Sequence, residues 1–151
     1  MWILFILKSL KALCGISWDI EGIENIPQTP FIMVANHQSP WESFFLQTLF
    51  IPTSSIMKKE ILLIPFFGWA ISRLKPISIN RKLKMESLKK VIEIGGKRIR
   101  EGYAVLVFPE GTRSRVGQKN KYKPGVTALY KFLKKEILIG KAKKELSKEN
   151  S

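Results

Sequence analysis

Residues 31–35 read FIMVA and residues 104–108 read AVLVF, and these two continuous apolar runs decide the fold. Short runs without polar residues are typical of strands that are covered on both faces. The first run leads into Asn36 and His37, and the second leads into the polar stretch 109–114. Segments of helical spacing lie between the predicted strands. Strands therefore alternate with helices, which indicates an α/β layered domain.

The chain has 151 residues, enough for one hydrophobic core and too few for two independent domains. We expect a single layered α/β domain in which helices flank a mostly buried mixed sheet. Three parts are predicted. An amphipathic N-terminal helix covers residues 1–14, the α/β domain covers residues 15–130, and a Lys-rich tail covers residues 131–151.

Two weaker patterns predict further elements. Ile16, Trp18 and Ile20 alternate with polar residues, which is typical of a half-buried strand. Apolar residues from 85 to 99 repeat at helical spacing, although the pair Gly95-Gly96 weakens that helix.

Two apolar segments bear on membrane contact. The run from Trp2 to Leu7 ends at Lys8, well short of the roughly 20 residues that span a bilayer. It predicts an amphipathic helix that either packs on the core or lies on lipid. Residues 61–71 (ILLIPFFGWAI) are broken by Pro65 and Gly68. This second segment predicts a hydrophobic, lipid-facing surface.

The charge balance predicts an anionic partner. There are 26 Lys and Arg residues against 12 Asp and Glu residues, a formal net charge of +14. Nucleic acid, anionic lipid and a phosphorylated substrate all fit this charge, but zinc-finger spacing and aromatic RNA-binding motifs are lacking. Cys14 is the single cysteine, so an intrachain disulfide is excluded and the reducing cytosolic side is favoured. We expect Cys14 to be a small core residue.

The residues suited to chemistry follow the predicted strands. His37 lies between a strand and a helix N-terminus, and Glu42 can hold the second N–H of its ring. A lone histidine is more often structural, however, and a capping box with Ser39 also explains Glu42. Arg81 and Arg113 each follow a strand, where guanidinium groups suit a phosphate. Either arginine alone is also compatible with an ordinary surface position.

Ordered motifs in this chain resemble the 1-acylglycerol-3-phosphate acyltransferase family. Residues 36–42 (NHQSPWE) resemble its His-x4-acid motif, residues 76–81 (PISINR) its second motif, and residues 108–114 (FPEGTRS) its third. Residues 58–68 resemble the stretch before the second motif. The resemblance covers residues 13–129, most of the chain.

The resemblance implies a role for each matching residue. His37 would be the general base that takes the proton from the acceptor's free hydroxyl, and Glu42 would be its acidic partner, where the family usually has Asp. The residues implied in binding the glycerol phosphate are Arg81, Glu110, Gly111 and, as an assisting residue, Arg113.

The implied reaction moves a fatty acyl group from acyl-CoA or acyl-carrier protein to the free hydroxyl of 1-acylglycerol-3-phosphate. This reaction makes phosphatidic acid for phospholipid biosynthesis. The resemblance implies no metal and no bound cofactor, since the acyl donor is a co-substrate. The implied partners are a lysophosphatidic-acid-like acceptor, the acyl donor and an anionic membrane surface, without nucleic acid. The implied location is the cytosolic face of a membrane.

Two departures from the family pattern lead to an alternative. Asn80 replaces the acid that usually precedes the second-motif arginine. The family's fourth motif, an apolar strand with a Val-Pro core, is expected after Leu129, but the sequence there is Lys-rich. We therefore expect a partial domain without the later strands. The alternative function is a family remnant that binds anionic lipid without catalysing transfer.

Overall fold

The computed structural model describes residues 2–115 and 120–134. Its strands are Ile32–Val34 (β1), Thr53–Lys58 (β2), Ile77–Ile79 (β3) and Ala104–Val107 (β4). Its α-helices are Trp2–Cys14 (α1), Pro40–Leu49 (α2), Phe67–Ser72 (α3) and Lys84–Arg100 (α4), and residues 125–134 are also helical. Short 3₁₀ helices cover Ile23–Asn25 and Lys59–Leu63. The predicted α/β class is confirmed.

The four strands form one sheet in the order β1-β4-β2-β3. All three described strand pairs are parallel, whereas the sequence had suggested a mixed sheet. Parallel neighbours need long crossover connections, and α2, α3 and α4 lie within these connections. The carboxyl ends of all four strands therefore lie along one edge of the sheet.

One face of the sheet packs against α4 and the helical residues 125–134. The buried side chains of this core are Ile77, Val91, Val105, Val107 and Leu129. The two glycines that weaken the helix signal in α4 have a packing reason. A Cβ on Gly95 would lie 3.1 Å from Leu129, and one on Gly96 would lie 2.9 Å from Phe132. The absence of side chains there lets the two helices approach closely.

The other face of the sheet is covered by α2 and, outside it, by α1. Neighbouring residues of a strand point to opposite faces, so the fully buried Leu106 faces away from α4. Helix α2 packs against β2, and α1 packs against α2. Ile3 and Leu7 of α1 are buried.

Two sequence predictions near the N-terminus are wrong. Residues 15–20 form no strand, because no neighbouring strand pairs with them. Their alternating pattern instead reflects side-chain packing, since Trp18 contacts Trp41 and Phe45 of α2. Cys14 is exposed and is not a core residue. It ends α1 in a last turn, residues 11–14, that is exposed throughout.

The N-terminal helix was predicted either to pack on the core or to lie on lipid. It packs on the core through one face, and its contact with lipid stays a prediction. Helix α1 packs one face on the core through Ile3 and Leu7, while Phe5 and Leu13 remain exposed. Within residues 2–115 and 120–134, no helix has the length and apolar character needed to cross a membrane. The predicted boundary at 130/131 falls inside the helical residues 125–134, and most of the predicted tail lies outside the described residues.

Gly68 provides a test of the packing around α3. A Cβ at this position would lie 2.2 Å from the Leu62 carbonyl oxygen, a backbone atom that cannot move aside cheaply. We expect Gly68→Ala to lower the free energy of unfolding by about 2–3 kcal/mol, measured by urea denaturation. Gly125→Ala is the control, because its Cβ would meet nothing within 4 Å. Equal urea midpoints for the two variants would contradict the described packing.

Candidate active site

The His37 ring is held on one face and at one nitrogen. It stacks on Phe108 with ring centroids 4.2 Å apart and an interplanar angle of 27°. Its Nδ1 lies 3.4 Å from Glu42 Oε2, and the two side chains are 17% and 22% exposed. The second nitrogen, Nε2, has no hydrogen bond to any residue that the structure describes. The arrangement orients the imidazole and leaves one nitrogen open.

Glu42 serves the helix cap and the histidine at once. Its Oε1 accepts hydrogen bonds from the backbone N–H groups of Ser39 at 3.1 Å and Gln38 at 3.2 Å. Its Oε2 accepts from the Gln38 N–H at 2.8 Å and faces His37 Nδ1. The capping box expected at Ser39 is present. The two roles that the sequence left as alternatives are therefore divided between the two carboxylate oxygens.

The loop after β4 is attached to the His37 backbone. The Ser114 N–H donates to the His37 carbonyl oxygen at 2.8 Å, and the Ser114 hydroxyl oxygen lies 3.3 Å from the same carbonyl oxygen. Gly111 adopts a φ of 67°, a left-handed conformation that favours glycine. The first and third motifs therefore form one continuous structure.

Glu110 is the buried carboxylate of this loop, with 5% of its surface exposed. A hydrogen bond from the Ser114 hydroxyl lowers the pKa of Glu110, with further lowering by Asn120 and by the His37 backbone N–H, while burial opposes the shift. Asn120 Nδ2 donates to Glu110 Oε2 at 3.1 Å. The carboxylate thus braces the loop from inside. Its assignment to substrate binding stays a prediction.

A segment that the sequence had not singled out lies across both loops. Tyr122 Oη donates to Asn36 Oδ1 at 3.2 Å, and the Lys123 N–H donates to the Pro109 carbonyl oxygen at 2.8 Å. With Asn120 on Glu110, residues 120–123 contact the ends of β1 and β4. Residues 120–123 lie outside the three motifs, and no local pattern in the sequence marks them.

The two arginines lie in different places along the sheet edge. Arg113 belongs to the loop bound to His37, and its side chain is exposed. Arg81 follows β3, at the opposite side of the sheet from β1, roughly 14 Å away for three strand spacings. Burial lowers the pKa of Arg81, and the charge of Glu60 opposes this change. The structure brings Arg113 close to the His37 loop, but Arg81 only to the same edge.

The comparisons with known proteins agree with this architecture. The family model described as Acyltransferase matches residues 17–137. The chain belongs to this acyltransferase family. It is 44% identical over 128 residues to a 1-acyl-sn-glycerol-3-phosphate acyltransferase of Pseudomonas aeruginosa, covering 85% of this chain and 50% of that relative. It is 36% identical over 107 residues to the enzyme of the same name from Saccharomyces cerevisiae, covering 70% and 35%.

A solved structure shares the fold of this acyltransferase-family chain. The crystal structure of the 1-acyl-sn-glycerophosphate (LPA) acyltransferase PlsC from Thermotoga maritima superposes with a TM-score of 0.62 at 29% identity. The match covers 86% of this chain and 55% of that protein. The chain thus spans about half the length of the Pseudomonas aeruginosa relative and of the Thermotoga maritima protein. The family resemblance drawn from the three motifs is confirmed.

Over residues 2–115 and 120–134, no group of three or more His, Cys, Asp or Glu residues is placed to hold a metal ion.

The hydrogen bonds on Glu110 predict a pH dependence of stability. Because the pKa of Glu110 is lowered from 4.5 on folding, its stabilisation is complete above pH 4.5 and is lost as the pH falls through the folded value. We expect Glu110→Gln to lower the thermal unfolding midpoint at pH 7. The gap to the parent protein should narrow below pH 4.5, whereas exposed Glu93→Gln on α4 should show no such trend. A gap that is constant with pH would contradict the role of the carboxylate charge.

Proposed function

We propose that this domain transfers a fatty acyl group from acyl-CoA or acyl-carrier protein to the free hydroxyl of 1-acylglycerol-3-phosphate. The observation that carries the proposal is the open Nε2 of a histidine that is fixed by Glu42 and Phe108. The names of the relatives support the acceptor, since the Pseudomonas and yeast proteins are 1-acyl-sn-glycerol-3-phosphate acyltransferases.

In the first half of the proposed reaction His37 acts as general base. When Nδ1–H donates to Glu42 Oε2, Nε2 carries the free lone pair. This nitrogen takes the proton of the acceptor hydroxyl while the hydroxyl oxygen attacks the thioester carbonyl carbon. A C–O bond forms, and the Glu42 carboxylate stabilises the imidazolium.

In the second half the tetrahedral intermediate collapses. The C–S bond breaks, and the departing sulfur receives the proton from Nε2. The products are the diacylated phosphate ester and the free thiol of the donor, and His37 is neutral again. Neither half needs a metal or an oxidant. The stacking of Phe108 on one ring face keeps Nε2 in the same place through both proton transfers.

A transfer assay with lysophosphatidate and an acyl-CoA tests the role of His37. We expect His37→Ala to lower kcat/KM at least about a hundredfold, because general-base catalysis contributes about 10²–10⁴-fold. His37→Gln keeps a polar planar group beside Glu42 but no base, so it should lose as much activity. Both variants are first checked for a parent-like far-UV spectrum and cooperative unfolding.

The outcomes separate the two candidate functions. If the parent protein turns over and His37→Ala matches its rate, the catalytic assignment is wrong. If the folded parent protein binds anionic vesicles without turnover of either donor, the non-catalytic remnant is the better account.

We also propose that the domain works on the cytosolic face of a membrane, docked through an apolar knob formed by Leu63, Ile64, Phe66 and Trp69. All four side chains are exposed, Phe66 by 77% and Trp69 by 67%. The knob follows β2 through the short 3₁₀ helix Lys59–Leu63 and runs into α3. The basic residues next to the knob in the sequence are Lys58, Lys59, Arg73 and Lys75.

The backbone holds the knob outward at an energetic cost. Phe66 has a φ of 60°, which is unusual for a bulky residue, and the Phe67 N–H donates to the Pro65 carbonyl oxygen at 2.6 Å across this turn. Such strain costs about 1–3 kcal/mol and is typical of functional segments. Exposed aromatic side chains suit the boundary between acyl chains and headgroups.

Vesicle sedimentation tests the knob. With vesicles that contain anionic phospholipid, we expect Phe66→Ser combined with Trp69→Ser to reduce the bound fraction at least about fivefold, because two large apolar side chains no longer insert. Met85→Ser is the control, since Met85 is 69% exposed on α4 outside the knob. Equal losses for both changes would refute a specific docking surface.

A further inference from the structure

The Lys123 side chain lies across Gly111, in the loop that also carries Arg113. A Cβ built on Gly111 would be 2.5 Å from Lys123 Nζ, 2.8 Å from Cε and 2.9 Å from Cδ. The last three heavy atoms of the lysine therefore occupy the space that any other side chain at position 111 would fill. The φ of 67° at Gly111 favours glycine, and the missing Cβ leaves room for the lysine.

The backbone of Lys123 is fixed in this position. Its N–H donates to the Pro109 carbonyl oxygen at 2.8 Å. The residues just before it are fixed too, because Asn120 donates to Glu110 and Tyr122 donates to Asn36. A lysine on an ordinary surface needs no such anchoring. Here three hydrogen bonds tie its segment to the ends of the two strands that carry the candidate active site.

Among the described residues, the Lys123 ammonium forms no salt bridge. The nearby Glu110 carboxylate accepts a hydrogen bond from Asn120, and Ser114 and the His37 backbone lower its pKa. Arg113 likewise has no ion pair within the described chain. Arg113 in the loop after β4 and Lys123 lying across Gly111 of that loop are therefore two cations available to an anion.

We propose that Lys123 binds the phosphate monoester of the acceptor, with Arg113 as the second cation. This inference rests on the proposed function and adds a residue outside the three sequence motifs. An ammonium group supplies up to three donors to phosphate oxygens, and a guanidinium adds a planar pair. The hydrogen bonds of Asn120 and Tyr122 hold Lys123 in place, so that it binds the phosphate end of the acceptor while the acceptor hydroxyl meets His37.

Steady-state kinetics of Lys123→Met test the proposal. We expect the KM for lysophosphatidate to rise about tenfold or more, as for loss of a hydrogen bond to a charged group. The kcat and the KM for the acyl donor should stay within about twofold. Lys121→Met is the matched control, since it removes the same charge from an exposed residue of the same segment. Lys123→Arg should retain more acceptor affinity than Lys123→Met.

The source of the phosphate is tested with two further arms. With 1-acylglycerol, an acceptor that lacks the phosphate, the parent protein and Lys123→Met should have equal KM values. If Lys123→Met instead raises the KM for acyl-CoA alone, the lysine serves a phosphate of the donor and the proposal is wrong. Equal kinetics for Lys123→Met and Lys121→Met would also overturn it.

A measurement without turnover separates this inference from the proposed reaction. Glycerol 3-phosphate should raise the thermal unfolding midpoint of the parent protein and of Lys121→Met, but less that of Lys123→Met. If the parent protein shows this Lys123-dependent shift without turnover, the phosphate site stands and the proposed reaction fails. If it turns over but the shift is the same in all three proteins, the reaction stands and the role of Lys123 is refuted.

Discussion

The parallel pairing of β1 with β4 is the constraint on which the candidate active site depends. Its register, Ile32 with Val105 and Val34 with Val107, ends both strands at the same level. Past the strands, the Ala35 N–H donates to the Val107 carbonyl oxygen, and in the loops the Ser114 N–H donates to the His37 carbonyl oxygen. A shift of one residue would turn every β4 side chain to the other face, and the loops would no longer meet. The position of the His37 ring on Phe108 thus follows from the register of a buried strand pair.

The strands were predictable where their burial shows in the sequence. β1 and β4 are apolar runs and β3 alternates Ile77, Ser78 and Ile79, but β2 begins with Thr53, Ser54 and Ser55, which are buried in the centre of the sheet. Burial of the Thr53 and Ser54 hydroxyls is tolerated because each donates to a backbone carbonyl, for Ser54 that of Lys75, 21 residues away. No local pattern reveals such a partner. Conversely, the alternation at residues 16–20 does not mark a strand, because Trp18 packs against α2 and no strand pairs with this segment.

The candidate site divides along the same line. His37, Glu42 and the loop to Ser114 were predictable because each adjoins a recognisable strand or helix cap. The 120–123 segment was not, because its contacts depend on the path of the chain, with 86 positions between Tyr122 and Asn36. The division of Glu42 between cap and ring was also beyond the sequence. It depends on the direction of each carboxylate oxygen, which residue spacing does not specify.

The charged groups of the site differ in whether they have a partner within the described chain. Glu110 is held inside the loop by its hydrogen bond from Asn120, and Ser114 lowers its pKa. Within the described chain, Lys123 and Arg113 form no ion pair. The exposed apolar knob lies in the connection from β2 to β3. The chain thus presents a cationic surface beside the His37 loop and a separate apolar surface. Under the proposed reaction these two properties match an amphiphile with one phosphate and one acyl chain, and neither surface contains a contact specific to acyl length.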